Sequence, residues 1–158
     1  MDIPALPFYT MNYTVPKNDG IIKDPKTIGD HIRNRRLKLH LFQKDVANIF
    51  KVSVDTITNW ENNRSVPQIG YYKKLIEFLE FFPFEIDTST EGGKIREYRY
   101  RNGLSCKELG DLIGVHQTTI MDWEEKHINL NGKFKIKLNS ILDSLINSEK
   151  FKIAKFCS

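Results

Sequence analysis

Displaced by 63 residues, the chain matches itself. Thr27 falls on Thr90, Gly29 on Gly92, Ile32 on Ile95, Arg33 on Arg96 and Arg36 on Arg99. Leu41, Lys44 and Val52 then meet Leu104, Lys107 and Val115, and Thr56, Ile57, Trp60 and Glu61 meet Thr119, Ile120, Trp123 and Glu124. Leu75 and Leu79 match Leu138 and Leu142, still without a gap, and 15 of the 60 positions from 27 to 86 are identical in this register. Both tryptophans of the chain are among them. Internal repetition changes the expected domain count before any local detail is read. Two similar units are expected, 27–86 and 90–149, with a linker at 87–89, an N-terminal arm over 1–26 and a C-terminal tail over 150–158.

Each unit reads as short helices. In the first, TIGDHIRNRRLKL spaces Ile28, Ile32, Leu37 and Leu39 at loose helical intervals, and QKDVANIF places Val46, Ile49 and Phe50 on one face beside Ala47. After a Lys51-Val52-Ser53 connection, VDTITNWE puts Val54, Ile57 and Trp60 three apart, with Ser53 placed to cap that helix. YYKKLIEFLEFF is an amphipathic helix that Pro83 closes. No run alternates as a strand does, so the fold class is all-α.

The pair of helices joined by a tight turn, QKDVANIFKVSVDTITNWE, resembles the helix-turn-helix of the phage-repressor and Cro-like (XRE) family, as does CKELGDLIGVHQTTIMDWE in the second unit. The family pattern has a small residue in its first helix, where Ala47 and Gly110 stand, and an aliphatic residue in its second, where Ile57 and Ile120 stand. A bulky residue follows three later, here Trp60 and Trp123. The pattern prefers glycine at the turn. Gly114 fits, whereas Lys51 departs, and a positive φ there costs a non-glycine residue on the order of 1 kcal/mol. The first turn is then either strained or built differently. The resemblance implies two tandem lambda-repressor-like domains on one chain.

It also implies a use for an odd composition. The outward side of VSVDTITNWENNR carries Asp55, Thr56, Thr58, Asn59, Asn62 and Asn63, poorer helix formers than the Lys and Glu of an ordinary solvated face. Such side chains suit base edges in a major groove: asparagine pairs bidentately with adenine, valine touches a thymine methyl, and aspartate accepts from a cytosine amino group. By family position Val54, Asp55 and Asn59 read bases, while Gln43, Lys44, Thr56, Asn62 and Arg64 hold phosphates or orient the readers. In the second unit the equivalent candidates are Gln117, Thr118 and Asp122 with Lys107. Its nine basic residues are balanced by nine acidic ones, against nine and seven in the first unit, so the first is the better match to a polyanion. Base reading and a role in packing or dimerisation both stay open for the second unit. Arg36 with Glu61, and Arg99 with Glu124, sit where the family pairs a partly buried arginine and carboxylate, a structural role. Arg33 and Arg96 read as surface residues.

Composition excludes other classes more than it selects this one. A formal charge of +4 permits binding to nucleic acid without demanding it. Cys106 and Cys157 match no paired spacing and read as reduced thiols of a cytoplasmic protein; association with the nucleoid is what the family resemblance implies. Neither they nor His31, His40, His116 and His127 form a zinc pattern, and no cofactor is expected. Asp122, Glu124 and Glu125 read as a solvated helix end rather than a metal site. Glu91-Gly92-Gly93-Lys94 lacks the first glycine and the Ser or Thr of a phosphate loop. Trp60 and Trp123 share the spacing of Ile57 and Ile120 and belong to a core, not to a base-stacking surface. No secretory leader follows Met1, and no stretch is apolar enough to span a membrane. No catalytic constellation is present, so an enzyme is not expected. The expected function is sequence-specific binding of double-stranded DNA by a bacterial or phage transcriptional regulator, a repressor before an activator. The alternative is a protein-interaction module, such as an antitoxin or adaptor, with a homodimer or another protein as partner through the second unit or the tails.

Overall fold

In the computed structural model the described residues are 20–126 together with Gly132, Ile136 and Ser140. The arm up to residue 19, the last helix expected in the second unit (Leu138, Leu142) and the tail 150–158 lie outside them. All regular structure among the described residues is helical: α1 (Ile28–Lys38), α2 (Gln43–Phe50), α3 (Val54–Glu61), a 3-10 turn (Ile69–Tyr71), α4 (Tyr72–Leu79), α5 (Glu91–Asn102), α6 (Cys106–Ile113) and α7 (Gln117–Lys126). The starts of α5, α6 and α7 fall 63 residues after those of α1, α2 and α3. None of these helices is long and apolar enough to cross a membrane.

The chain divides into two compact units, 1–65 and 66–158. In the first, α1 to α3 contribute Ile32, Leu37, Val46, Ala47, Phe50, Ile57 and Trp60 as buried side chains. The rings of Phe50 and Trp60 meet edge to face at 5.7 Å. Thr27 caps α1 by accepting from the Asp30 N–H at 3.0 Å, and Asp30 returns the bond by accepting from the Thr27 N–H at 3.1 Å. Inside α1, the Asn34 side-chain amide accepts from the Ile22 N–H and donates to the Ile22 carbonyl, both at 2.8 Å. The pair straps residues 20–26 onto α1.

Asp30 has a further partner in the Asn63 amide at 3.2 Å. Burial alone would push its carboxyl up. Hydrogen bonds from Thr27, Asn63 and the N–H groups of Lys26 and Thr27 outweigh this and hold it below its ordinary value of 3.8. A depressed native pKa contributes stability that is present above the unfolded value and lost as pH falls through the native one. Wild type is therefore expected to lose thermal stability as pH drops from about 4 toward 2. Asp30→Asn should start from a lower Tm at pH 7 and show a shallower acid limb, measured by circular dichroism. Equal acid limbs would remove Asp30 from the account.

In the second unit α5 to α7 bury Ile95, Tyr98, Leu109, Ile113, Ile120 and Trp123, with Leu104, Cys106 and Val115 partly covered at the margin. The division of the chain places α4 here, although in sequence it closes the first repeat. The reason lies in FFPFEI: Phe84 stacks on Tyr72 at 4.5 Å and meets Tyr100 of α5 at 4.9 Å, while Arg101 covers Phe82 at 4.5 Å. Helix α4 also ends earlier than the run up to Pro83 suggests. Glu80 takes a left-handed conformation (φ 66°) and stops it at Leu79.

Candidate nucleic-acid interface

Helix α3 starts at a built cap. Ser53 Oγ accepts from the Thr56 N–H at 3.1 Å and lies 2.9 Å from the Thr56 hydroxyl, so Thr56 is spent on the cap. Ile57, Trp60 and Glu61 face inward, and their spacing leaves the remaining arc free. On that arc Val54 and Asp55 are exposed, Asn59 is half-buried and Asn62 is exposed, with Arg64 exposed beyond the helix end. Asp55, Asn59 and Asn62 follow one another at helical spacings of four and three. Among the described residues, none of their side chains has a hydrogen-bond partner. Three short polar groups therefore share a stripe without a side-chain hydrogen bond among the described residues, although Asp55, in the first turn of α3, also favours the helix N-terminus.

The rear of the helix is held in several places. Arg36 Nε and Nη2 donate to the two carboxylate oxygens of Glu61 at 2.6 and 2.8 Å, and Arg36 Nη1 donates to the Leu41 carbonyl at 3.1 Å. One guanidinium thus fastens α1 to the α1–α2 loop and to α3. Glu61 is almost fully buried, its side chain only 2% exposed. Gln43, the first residue of α2, donates to Glu61 at 2.9 Å and accepts from the Thr58 hydroxyl at 3.1 Å. It thereby links the start of α2 to α3, and its second amide N–H has no partner among the described residues. Lys44 lies over the Phe42 ring at 5.4 Å with its charge exposed. Phe42 offers no side-chain oxygen to cap α2; the only side-chain bond there runs from the Phe42 N–H to Asp45 at 2.8 Å.

Two further residues set how closely α1 and α3 approach. A Cβ on Gly29 would overlap the Trp60 carbonyl oxygen, and Asn63 Oδ1 would lie 2.6 Å from it. Asn63 leaves the end of α3 with φ 56°, and its amide oxygen accepts from the Thr27 hydroxyl at 2.7 Å. Asn63 is therefore a clasp between helix ends and not a member of the outward stripe. The identity of Gly29 with Gly92 in the repeat is the sequence signal for the close approach. Asn63 has none, because its role depends on a partner 36 residues away.

The second unit repeats the frame and changes the face. Arg99 donates to Glu124 at 2.6 and 2.8 Å and to the Leu104 carbonyl at 3.0 Å. Burial disfavours its charge, but the hydrogen bonds and charge of Glu124 outweigh this and raise its pKa further. Arg96, expected at the surface, also bonds Glu124 at 3.2 Å, because Glu124 has oxygen lone pairs to spare beside it. Cys106 and Met121 stand where Gln43 and Thr58 do, so the polar link between the two helices is missing. Burial pushes the Cys106 thiol up, with Arg99 opposing, which keeps it a thiol. Ser105 and Glu108 close the start of α6 with reciprocal bonds of 2.7 and 3.2 Å. His116 Nδ1 faces the Thr118 hydroxyl at 2.9 Å at the start of α7. Gln117 and Thr118 are exposed, Asp122 is half-buried, and Lys107 and Gln117 line one open hollow of about 640 Å³. Among the described residues no group of three or more His, Cys, Asp or Glu is disposed to hold a metal ion.

A three-helix frame with a capped second helix of the pair is helix-turn-helix geometry. Residues 32–85 match the family model described as helix-turn-helix, a match that supports the XRE-type resemblance of this segment. The match covers the first repeat and not the second. No curated protein and no solved structure matches the chain.

Proposed function

We propose that the chain is a sequence-specific regulator of transcription, acting as a repressor, that lays α3 in the major groove of double-stranded DNA. Val54, Asp55 and Asn59 read base edges. Lys44, Asn62 and Arg64 meet phosphates, and Gln43 and Thr56 orient the readers. The observation that carries this reading is the stripe of Asp55, Asn59 and Asn62, polar groups without an internal partner on a helix fastened from behind. Residues 90–126 form part of a diverged second copy of the same module, since the helix starts and the arginine–glutamate pair recur at one offset. Such a protein works in the cytoplasm, at the nucleoid.

Asn59→Ala is expected to weaken binding to a preferred duplex by about 1–3 kcal/mol and to relax the preference at one base position. The Tm should stay within a few degrees of wild type, because the Asn59 side chain holds nothing inside the fold. An unchanged affinity would remove Asn59 from the readers. For the second unit, contact with a protein partner is the reading favoured by its exposed Leu112 and Met121 and by the loss of the Gln43–Thr58 link.

A further inference from the structure

The two units differ in what they place at their left-handed turns. After α1 and α2 the first unit has His40 (φ 55°) and Lys51 (φ 57°), where the second has Gly103 (φ 65°) and Gly114 (φ 79°). Histidine enters this region several-fold more readily than most residues, whereas lysine has no such tendency. The turn itself makes no use of a side chain. Its bonds run from the N–H groups of Lys51 and Val52 to the carbonyls of Asn48 and Ala47 at 3.3 and 3.0 Å, and Val115 makes the equivalent bond to Gly110 at 2.9 Å beside a glycine. Strained residues of this kind persist where the surroundings fix them, and they collect at functional sites.

The Lys51 side chain is exposed and has no ion pair among the described residues. It stands three residues before Val54, at the end of α3 that carries the readers. From Val52 to Asn63 the sequence has no cation and two carboxylates, Asp55 and Glu61. Arg36 neutralises Glu61, which leaves Asp55, offset only by the N-terminus of α3, to face a polyanion without an ion-pair partner among the described residues. Lys51 before the helix and Arg64 after it are the cations nearest in sequence on either side.

We infer that Lys51 is a phosphate-binding cation of the DNA interface, kept at a strained turn because its charge offsets Asp55 at the reading end of α3. This rests on the reading that α3 enters a major groove. Lys51→Gly and Lys51→Gln test it on the duplex that the wild-type chain selects from a random library, titrated over several salt concentrations.

Lys51→Gly is expected to raise Tm by about 4–8 °C through relief of the turn, and yet to bind about fivefold more weakly at 0.15 M salt. The slope of log affinity against log salt should fall by about 1. Lys51→Gln, which keeps the strain and loses the charge, should show the same lower slope at an unchanged Tm. If either variant binds with the wild-type slope and affinity, Lys51 touches no phosphate and the inference is overturned. If the wild-type chain itself selects no duplex, the groove reading fails first, and the two failures are thereby told apart.

Discussion

Glu61→Ala is expected to remove about 3–5 kcal/mol of stability from the first unit. The loss exceeds that of an ordinary surface ion pair because the substitution strands a guanidinium. Arg36 would keep only its bond to the Leu41 carbonyl, and Gln43 would lose the acceptor that orients it. An exposed pair of the same residues would contribute only about 0–1 kcal/mol. Trp60 and Trp123 lie in different units, so urea unfolding followed by fluorescence in a Trp123→Phe background reports the first unit alone. A loss under about 1 kcal/mol would mean that water screens the pair and that α3 is held by its apolar face.

Gly29→Ala is the second large effect. In an exposed helix interior this change gains up to about 1 kcal/mol from helix propensity. Here the new methyl meets a main-chain carbonyl, that of Trp60, which no rotamer change can move aside. Overpacking of this kind costs about 1–3 kcal/mol, and the clash wins. The expected result is a lower Tm together with weaker DNA binding, since α1 and α3 must separate where Asn63 clasps them. Gly92→Ala should repeat the thermal effect in the second unit, against the Trp123 carbonyl. A more stable Gly29→Ala protein would show that the two helices tolerate a wider spacing.

Helices α1 to α3 were legible because their apolar periodicity is local, and their caps follow from single residues such as Ser53. The 63-residue register carried the frame of the second unit. What escaped depends on pairs distant in sequence. Asn34 and Ile22, Asn63 and Thr27, and Gln43 with Glu61 are each twelve or more residues apart, and nothing in local spacing announces them. The ring contacts of α4 with α5 were also hidden. The sequence places it after α3, while the rings of Tyr72, Phe84 and Tyr100 gather it with α5. At the site itself, residue type marked the polar stripe. Only the side-chain hydrogen bonds separate Asp55, Asn59 and Asn62, which make none among the described residues, from Thr56, Thr58 and Asn63, which are engaged in the fold.

The central claim is that the first unit reads base sequence through α3. Its most direct measurement is selection of duplexes by the full chain from a random library, followed by titration of the recovered duplex at several salt concentrations. The account predicts an enriched motif, and a preference at one position of that motif that disappears in Asn59→Ala while the salt slope stays as in wild type. Recovery of no motif, with binding that depends on salt alone, would contradict it.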